Sequence, residues 1–309
     1  MSIITRIKNA FSKVKSTDLI GVALRQQSIS YFVRKTDESK GKVFENKGKV
    51  FENKGDAITK ALKALVSVEP LSGQCHLVLA HAHSQIVQVD KPNVPAAEIK
   101  AALKWQIKDL VSIAPENMML DYFDGPTLAG GHEKINVVCV AKNDLMELVS
   151  IFNDAQLNIN SITTEEFAFA SLLPMQQDAV LFVCQQPNEE INLLIVKNGQ
   201  LFFSRRLRGF AHIANKSEDE LTMGIIDSLS LEIQRSTDYF ERQLKQAPIK
   251  TIEILLPLEQ EAFLARKLAE NTNVEVKLFA MPETLESLRG SAVAIGATQL
   301  NFMEPNQDG

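Results

Sequence analysis

The stretch DLIGVALRQQSISYFV, residues 18–33, predicts two β-strands joined by a tight turn, because apolar residues dominate both of its halves. In nucleotide-binding proteins a turn at such a place often holds glycine, which lets backbone N–H groups approach a phosphate. Here the turn is Arg25-Gln26-Gln27, and no glycine follows Gly21. The stretch therefore predicts a hairpin, which is either a phosphate loop that has lost its chemistry or a hairpin that never had any.

The composition of the chain is that of an ordinary globular protein. Its 309 residues are 45% hydrophobic and 23% charged, which suits two or more packed units. The net charge of −5 argues against a general nucleic-acid binder. No apolar run approaches the ~20 residues that a membrane helix needs, and no secretory segment is evident. Cys75, Cys139 and Cys184 form no Cys-x-x-Cys pair, so we expect buried free thiols in a reducing compartment, by default the cytoplasm.

Residues 1–16 predict an amphipathic helix whose charged residues are all basic. Such a helix is typical of a segment that lies on an anionic membrane surface. The alternative is a helix docked on the body of the protein, and the pattern favours neither.

A tandem repeat, GKVFENK twice over, spans Gly41 to Lys54. Two copies are too few for a solenoid. The segment predicts an extended hairpin arm made by local duplication, and we expect the excision of one copy to cost little stability.

The order of predicted elements occurs twice along the chain. Each half opens with hairpin strands and continues with alternating helices and strands, which indicates a duplicated mixed-sheet α/β architecture with two lobes. Asn198-Gly199 predicts a tight hairpin turn, Asn143 predicts a helix N-cap, and residues 217–246 predict one long helix.

No catalytic or metal-binding constellation is evident. His81 and His83 would share one face of a strand end, but no third ligand stands at metal-binding spacing, so no metal site is expected. Arg205, Arg206 and Arg208 predict a solvated basic rim. Paired carboxylates at acid/base spacing and a Ser-His-Asp signature are both missing, so the residues give no reason to expect an enzyme.

Three stretches resemble one known family. They are AAEIKAALKWQIKDLVSIAPENMMLDYFD, LNINSITTEEFAFASLL and LSLEIQRSTDYFERQL, which begin at residues 96, 157 and 229. In this order they resemble the actin-like type IV pilus assembly proteins called PilM, and within that family the branch of the mannose-sensitive haemagglutinin (MSHA) pilus. The resemblance implies an α/β, actin-like ATPase fold: two ribonuclease H-like lobes with a small inserted α/β subdomain.

The resemblance also implies the domain boundaries. After the N-terminal helix at 1–16, the expected ranges are 17–80, 146–176 and 289–309 for the first lobe, 81–145 for the insert and 177–288 for the second lobe.

In the family, three glycine-bearing turns would hold a nucleotide between the lobes, and this chain departs from all three. The first is the opening hairpin, and the other two carry Pro187 and Pro257, which lack an N–H donor. Only Glu232 and Arg235 remain as vestigial contacts for adenosine, and at i, i+3 spacing they are equally an ordinary salt bridge. We therefore expect no cofactor and a non-catalytic protein; ATP with Mg²⁺, in an actin-like ATPase or switch, is the alternative.

The resemblance implies a protein partner, the short cytoplasmic segment of a PilN-like bitopic inner-membrane protein, with other pilus assembly components beside it. It also implies a cytoplasmic protein at the inner face of the inner membrane, where the helix at 1–16 would provide peripheral contact. The partner groove is expected where the insert meets the first lobe, lined by Trp105, Leu110 and Ile113, with Trp105 outside a core stripe formed by Ile99, Leu103, Gln106 and Leu110. The alternative for Trp105 is a place in the core of the insert. A related cytoplasmic domain of type II secretion is a further alternative, but it would need a membrane helix.

Overall fold

The computed structural model describes residues 18–26, 28–36, 43–52, 58–69, 71–127 and 133–300. The predicted helix at 1–16 lies outside them. The strands are β1 Leu19–Leu24, β2 Ser28–Thr36, β3 Val43–Glu52, β4 Gln74–Leu79, β5 Gln85–Asp90, β6 Met118–Thr127, β7 Glu133–Ala141, β8 Asn158–Thr164, β9 Val180–Cys184, β10 Ile191–Lys197, β11 Gln200–Leu207, β12 Thr251–Leu255 and β13 Glu275–Leu278. The α-helices are α1 Ile58–Val68, α2 Ile99–Gln106, α3 Lys142–Asp154, α4 Glu165–Ala170, α5 Glu218–Glu220, α6 Ile226–Asp238, α7 Glu261–Glu270 and α8 Ala292–Ala297. None of the described helices is long and apolar enough to cross a membrane.

The chain divides into two compact units. Of the described residues, the first unit holds those up to 125, residues 133–168 and residues 293–300. The second unit holds residues 126–127 and 169–292. It therefore begins before the predicted lobe boundary at 177 and ends after the predicted boundary at 288.

Each unit contains a five-stranded sheet, and the two sheets have the same topology. The strand orders are β3-β2-β1-β4-β8 and β11-β10-β9-β12-β13. In both, three antiparallel strands are followed by two parallel ones. The duplicated mixed-sheet architecture predicted from the sequence is confirmed.

A third, three-stranded sheet with the order β5-β7-β6 belongs to the first unit. It has its own small core, in which Ile99 and Leu103 of α2 and the following Ile107 pack against Ile135 and Val137 of β7. The core of the insert thus consists of the apolar face of α2 packed against the three-stranded sheet, and this packing holds the helix in place.

The opening hairpin is confirmed. Leu24 of β1 pairs with Ile29 of β2, and the Arg25 N–H donates a hydrogen bond to the Ser28 carbonyl at 2.9 Å. Gly21 in β1 lies where α8 crosses the strand: a Cβ atom at this position would be 1.9 Å from the Ala294 carbonyl oxygen. The glycine is required by that close approach.

The Asn198-Gly199 turn is also confirmed. It joins β10 to β11 with Lys197 paired to Gln200, and both turn residues have positive φ, 51° and 70°. These angles are those of a type I′ turn, whose twist matches that of the flanking strands.

Three local predictions were wrong. The helix expected at 217–246 is interrupted by a π-helical segment, Leu221–Ile225, because Gly224 has a φ of 111°. Asn143 is not an N-cap, since α3 begins at Lys142, and the Asn143 N–H donates instead to Asn117 Oδ1 at 3.0 Å. His81–His83 form a 3₁₀ turn, so the two histidines do not alternate along a strand.

The tandem repeat contributes β3, whose backbone pairs with β2 along nearly its whole length, with residues 28–32 opposite residues 48–52. The repeat is extended, as predicted, but the hairpin arm is wrong: parts of both copies lie in the single strand β3, which is an outer strand of the first five-stranded sheet. Residues 41–42 and 53–54 of the repeat lie outside the described residues.

The three cysteines are free and buried, as predicted. Cys75 lies in β4, Cys139 in β7 and Cys184 in β9, so that each sheet contains one thiol.

Candidate functional site

An apolar groove in the first unit lies between α3, β8 and the three-stranded sheet. It encloses a cavity of about 300 Å³, at the lower end of the range of small-ligand pockets. Its apolar lining consists of Leu79, Met119, Leu120, Val138, Val140, Leu145, Met146, Val149 and Ile162, and its polar lining of Asp121, Asn153, Thr163 and Thr164.

The amphipathic helix α3 forms one wall of the groove. Leu145 and Val149 of this helix are buried, whereas Met146 keeps 53% of its surface exposed at the groove. An exposed methionine is a flexible apolar contact that adapts to different occupants. This wall can therefore accept apolar side chains without repacking the core.

Two strand edges form other parts of the lining. Residues 119–121 of β6 and residues 162–164 of β8 all line the cavity. Successive side chains of a strand point to opposite faces, so three consecutive residues reach one cavity at an edge or at an end of the strand. Among the described strands, β6 and β8 are outer strands of their sheets. The groove thus contacts two outer strands, each of which has one edge without a strand partner among the described residues.

The polar groups of the groove differ in how they are bonded. Asp121 at the rim forms an ion pair with Lys100, with 3.0 Å between Oδ1 and Nζ. Thr164 is only 1% exposed, and its Oγ1 has no hydrogen-bond partner among the described residues. A mainly apolar groove therefore contains one buried hydroxyl without a hydrogen-bond partner among the described residues.

The residues predicted to bind the partner lie outside this groove. Trp105 is 67% exposed on α2, and Leu110 is 57% exposed beyond its end. Ile113 is partly buried against the core of the insert. None of the three lines the cavity, and their role in binding stays a prediction; the placement of Trp105 in the core is wrong.

The predicted core stripe of this helix is wrong in its second half. α2 ends at Gln106, which is exposed and donates to the Asp90 carbonyl at 2.9 Å, and Ile107 occupies the core. The helical spacing does not continue past the end of the helix, which is why Leu110 points away from the core.

The first of the three turns that would contact a nucleotide lies in the first unit. Its Arg25 is buried, and the N–H of this residue is already bonded across the hairpin to Ser28.

The second turn lies in the second unit and is bonded internally as well. The Gln185 N–H donates to the Leu255 carbonyl at 3.1 Å, and Gln185 Nε2 donates to the Glu189 and Phe210 carbonyls at 2.6 and 2.9 Å.

The third turn, also in the second unit, holds a carboxylate of its own chain. Glu261 Oε1 accepts the Leu256 N–H at 2.7 Å, and Arg289 Nη2 donates to both Glu261 oxygens at 2.8 Å. Arg289 also donates to the Phe279 carbonyl at 2.8 Å. Burial raises the pKa of Glu261, and its bonds to Leu256 and Arg289 oppose this effect. A backbone donor that a phosphate could have used is thus bonded to Glu261.

Glu232 and Arg235, the vestigial adenosine contacts, form an ion pair on α6, and Glu232 Oε2 also accepts from Arg205 Nη1 at 3.2 Å. Glu232 lines a separate cleft of about 720 Å³ in the second unit, together with Arg206 and Arg208. Arg205 and Arg206 are partly buried there, so of the three arginines of the predicted basic rim only Arg208 is exposed.

The described residues contain no group of three or more His, Cys, Asp or Glu side chains that could hold a metal ion.

Comparisons with known proteins identify the fold. No protein-family model matches the sequence, and no curated protein matches it either. A chain of the PilM–PilN type IV pilus biogenesis complex superposes with a TM-score of 0.66 at 14% identity, over 93% of this chain and 98% of that one. The cytoplasmic domain of EpsL, an inner-membrane component of the type II secretion system of Vibrio cholerae, gives 0.56 at 14% identity, over 93% and 97%. A Bacteroides thetaiotaomicron protein of unknown function with an actin-like ATPase fold gives 0.50 at 11% identity, over 92% and 99%. The chain therefore has the actin-like ATPase fold predicted from its sequence, with two ribonuclease H-like lobes and a small α/β insert in the first.

Proposed function

We propose that this protein is a non-catalytic scaffold of type IV pilus biogenesis that binds the short cytoplasmic N-terminal segment of a PilN-like inner-membrane protein. It works in the cytoplasm at the inner face of the inner membrane, alongside other pilus assembly components, and within the PilM family it is closest to MshI of the MSHA pilus. The observation that carries the proposal is the apolar groove beside the edges of β6 and β8, in a fold shared with a chain of the PilM–PilN complex.

The groove suits an extended peptide. Strand edges offer main-chain donors and acceptors to a segment that lies along them, and apolar pockets beside an edge accept alternate side chains. The lining is apolar except at four residues, so the occupant is an apolar segment.

The three turns support a role without catalysis. The Arg25, Gln185 and Leu256 N–H groups are each bonded to a partner within their own unit. A nucleotide phosphate would have to displace these bonds, and at the third turn it would meet the carboxylate of Glu261. A peptide that binds in the groove of the first unit does not have to displace these bonds.

The test uses a synthetic peptide with the sequence of the cytoplasmic segment of the PilN-like protein from the same organism. Met146→Glu introduces a charge that is hydrated in the free protein and loses that hydration under an apolar peptide. We expect at least a tenfold weaker Kd, about 1.4 kcal/mol, in titration calorimetry. Met175→Glu is the matched control, because Met175 is 74% exposed and belongs to the second unit.

The Trp105→Ala variant distinguishes between two candidate binding sites for the peptide, the groove and the exposed surface of α2. If the tryptophan anchors the partner, as the sequence predicts, this variant folds normally and loses about tenfold or more in affinity. If the groove is the site, only Met146→Glu weakens the complex. Binding at full strength by the Met146→Glu variant would refute the groove.

A further inference from the structure

The hydroxyl of Thr164 is the polar feature of the groove that the rest of the structure leaves unexplained. Thr164 is the last residue of β8, is almost fully buried and lines the cavity, and its Oγ1 has no hydrogen-bond partner among the described residues. Buried hydroxyl groups are normally bonded, since a buried polar atom without a partner is costly.

A neighbouring residue of the same strand shows the usual arrangement. Ser161 is also fully buried, and its Oγ lies 2.7 Å from Nδ1 of His76 on the adjacent strand β4. The Ser161 hydroxyl thus has a hydrogen-bond partner within the sheet, whereas the Thr164 hydroxyl has none among the described residues.

Resting on the proposed function, we infer that Thr164 is the residue by which the groove recognises the main chain of its occupant. The extended peptide lies along the edge of β8 and bonds one of its main-chain N–H or C=O groups to Thr164 Oγ1. A threonine hydroxyl can donate and accept, so it serves either group. The apolar lining then contacts the side chains of the peptide, and the hydrogen bond to Thr164 fixes the register of the peptide along β8.

The choice of a main-chain group follows from the position of Thr164. It lies on the strand whose edge the peptide would follow, where the nearest polar atoms of an extended segment are those of its backbone. The walls formed by α3 and β7 are mostly apolar, with Leu145 and Val138 among their side chains and Asn153 as the polar exception, so they favour apolar side chains of the occupant.

The experiment compares two substitutions in calorimetric titrations with the same synthetic peptide. Thr164→Val has the same shape and no hydroxyl, and we expect about five- to tenfold weaker binding. Thr164→Ser keeps the hydroxyl and should bind within about twofold of the wild type. Ser30→Ala is the matched control: Ser30 Oγ is also buried without a described hydrogen-bond partner and belongs to the same unit, but it does not line the groove. This variant should bind normally.

A second measurement identifies the bonded group. Single backbone amides of the peptide are replaced by esters, one position at a time. At one position the ester should weaken binding to the wild type but not to Thr164→Val, because the valine variant has already lost the hydrogen bond that the ester removes. If no ester position discriminates between the two proteins, the inferred contact is wrong. Should the valine variant fail to fold, Thr164→Ala, which also lacks the hydroxyl, takes its place in both measurements.

The outcomes distinguish the inference from the function on which it rests. If the wild type does not bind the peptide, the proposed function fails. If the wild type binds, Met146→Glu weakens the complex and Thr164→Val binds at full strength, the groove is the site and the role of Thr164 is refuted.

Discussion

Replacing Gly21 with alanine tests the packing of β1 against α8, on which the first unit depends. The added Cβ would lie 1.9 Å from the carbonyl oxygen of Ala294, 2.9 Å from its carbonyl carbon and 3.1 Å from Cβ of Ala297. Relief of such an overlap requires α8 or β1 to move by about 1 Å or more, because the atoms it meets first are backbone atoms and cannot rotate away.

The cost can be estimated from that geometry. Overpacking of a well-packed core typically costs ~1–3 kcal/mol and sometimes more, and we expect about 3 kcal/mol here because the clash involves backbone on both sides. In a unit of this size 1 kcal/mol lowers Tm by roughly 2–4 °C. The first unit of Gly21→Ala should therefore melt about 6–12 °C below that of the wild type.

The assay must observe the first unit by itself, since a chain of two units need not unfold in a single step. Hydrogen–deuterium exchange of peptides from β1 and α8, measured along a temperature series, meets this need. Gly290→Ala is the control: its Cβ would come no closer than 3.6 Å to Pro187, an ordinary contact, so we expect a change within ~0.5 kcal/mol. If Gly21→Ala melts within a degree or two of the wild type, the packing of α8 on β1 described above is wrong.

Further outcomes are expected. Burial lowers the pKa of His76 from 6.5 to about 4, so the unfolded chain binds the proton at a higher pH than the folded chain does. The free energy of unfolding therefore has its full value above about pH 6.5 and falls by about 3 kcal/mol between pH 6.5 and pH 4. Urea unfolding at several pH values measures this loss, and a His76→Gln variant with the same pH profile as the wild type would contradict the assignment. Calorimetry with millimolar Mg·ATP should detect no binding; a micromolar Kd would instead favour the ATP-dependent switch. Because the two copies are identical, excision of residues 48–54 leaves one copy that can pair with only part of β2, so exchange protection should fall over the remaining part of β2, contrary to the small effect expected from the sequence. Protection that is unchanged along the whole of β2 would support the peripheral arm.

The parts of the fold that could be predicted are those with local signals. Asn198-Gly199 specifies its turn because few residue pairs adopt positive φ twice, and the opening hairpin is defined by the apolar residues of its two strands. The break in the long helix also had a local signal, since Gly224 stands within the apolar pattern and glycine is a poor helix former.

The groove could not be predicted in detail, because its lining comes from segments far apart in the sequence. Leu79, Leu120, Val138, Val149 and Thr164 belong to five different elements, and no spacing rule connects them. Burial of the Thr164 hydroxyl without a partner is a property of the packed structure. Trp105 was predicted to anchor the partner because it is a tryptophan that lies off the helical stripe, but this position does not indicate which surface meets the groove.

The distribution of cysteines has a practical consequence. Because each sheet carries one buried thiol, the protein contains a chemical reporter of the opening of each sheet. Burial raises the pKa of Cys75, and it raises that of Cys139 to about 11, so these thiols stay protonated and unreactive while their sheets are closed. The rate at which an alkylating reagent modifies each cysteine, followed by mass spectrometry, would then give a separate opening free energy for each lobe and for the insert. Such a measurement would show whether the insert opens on its own and whether a bound peptide stabilises it together with the first lobe.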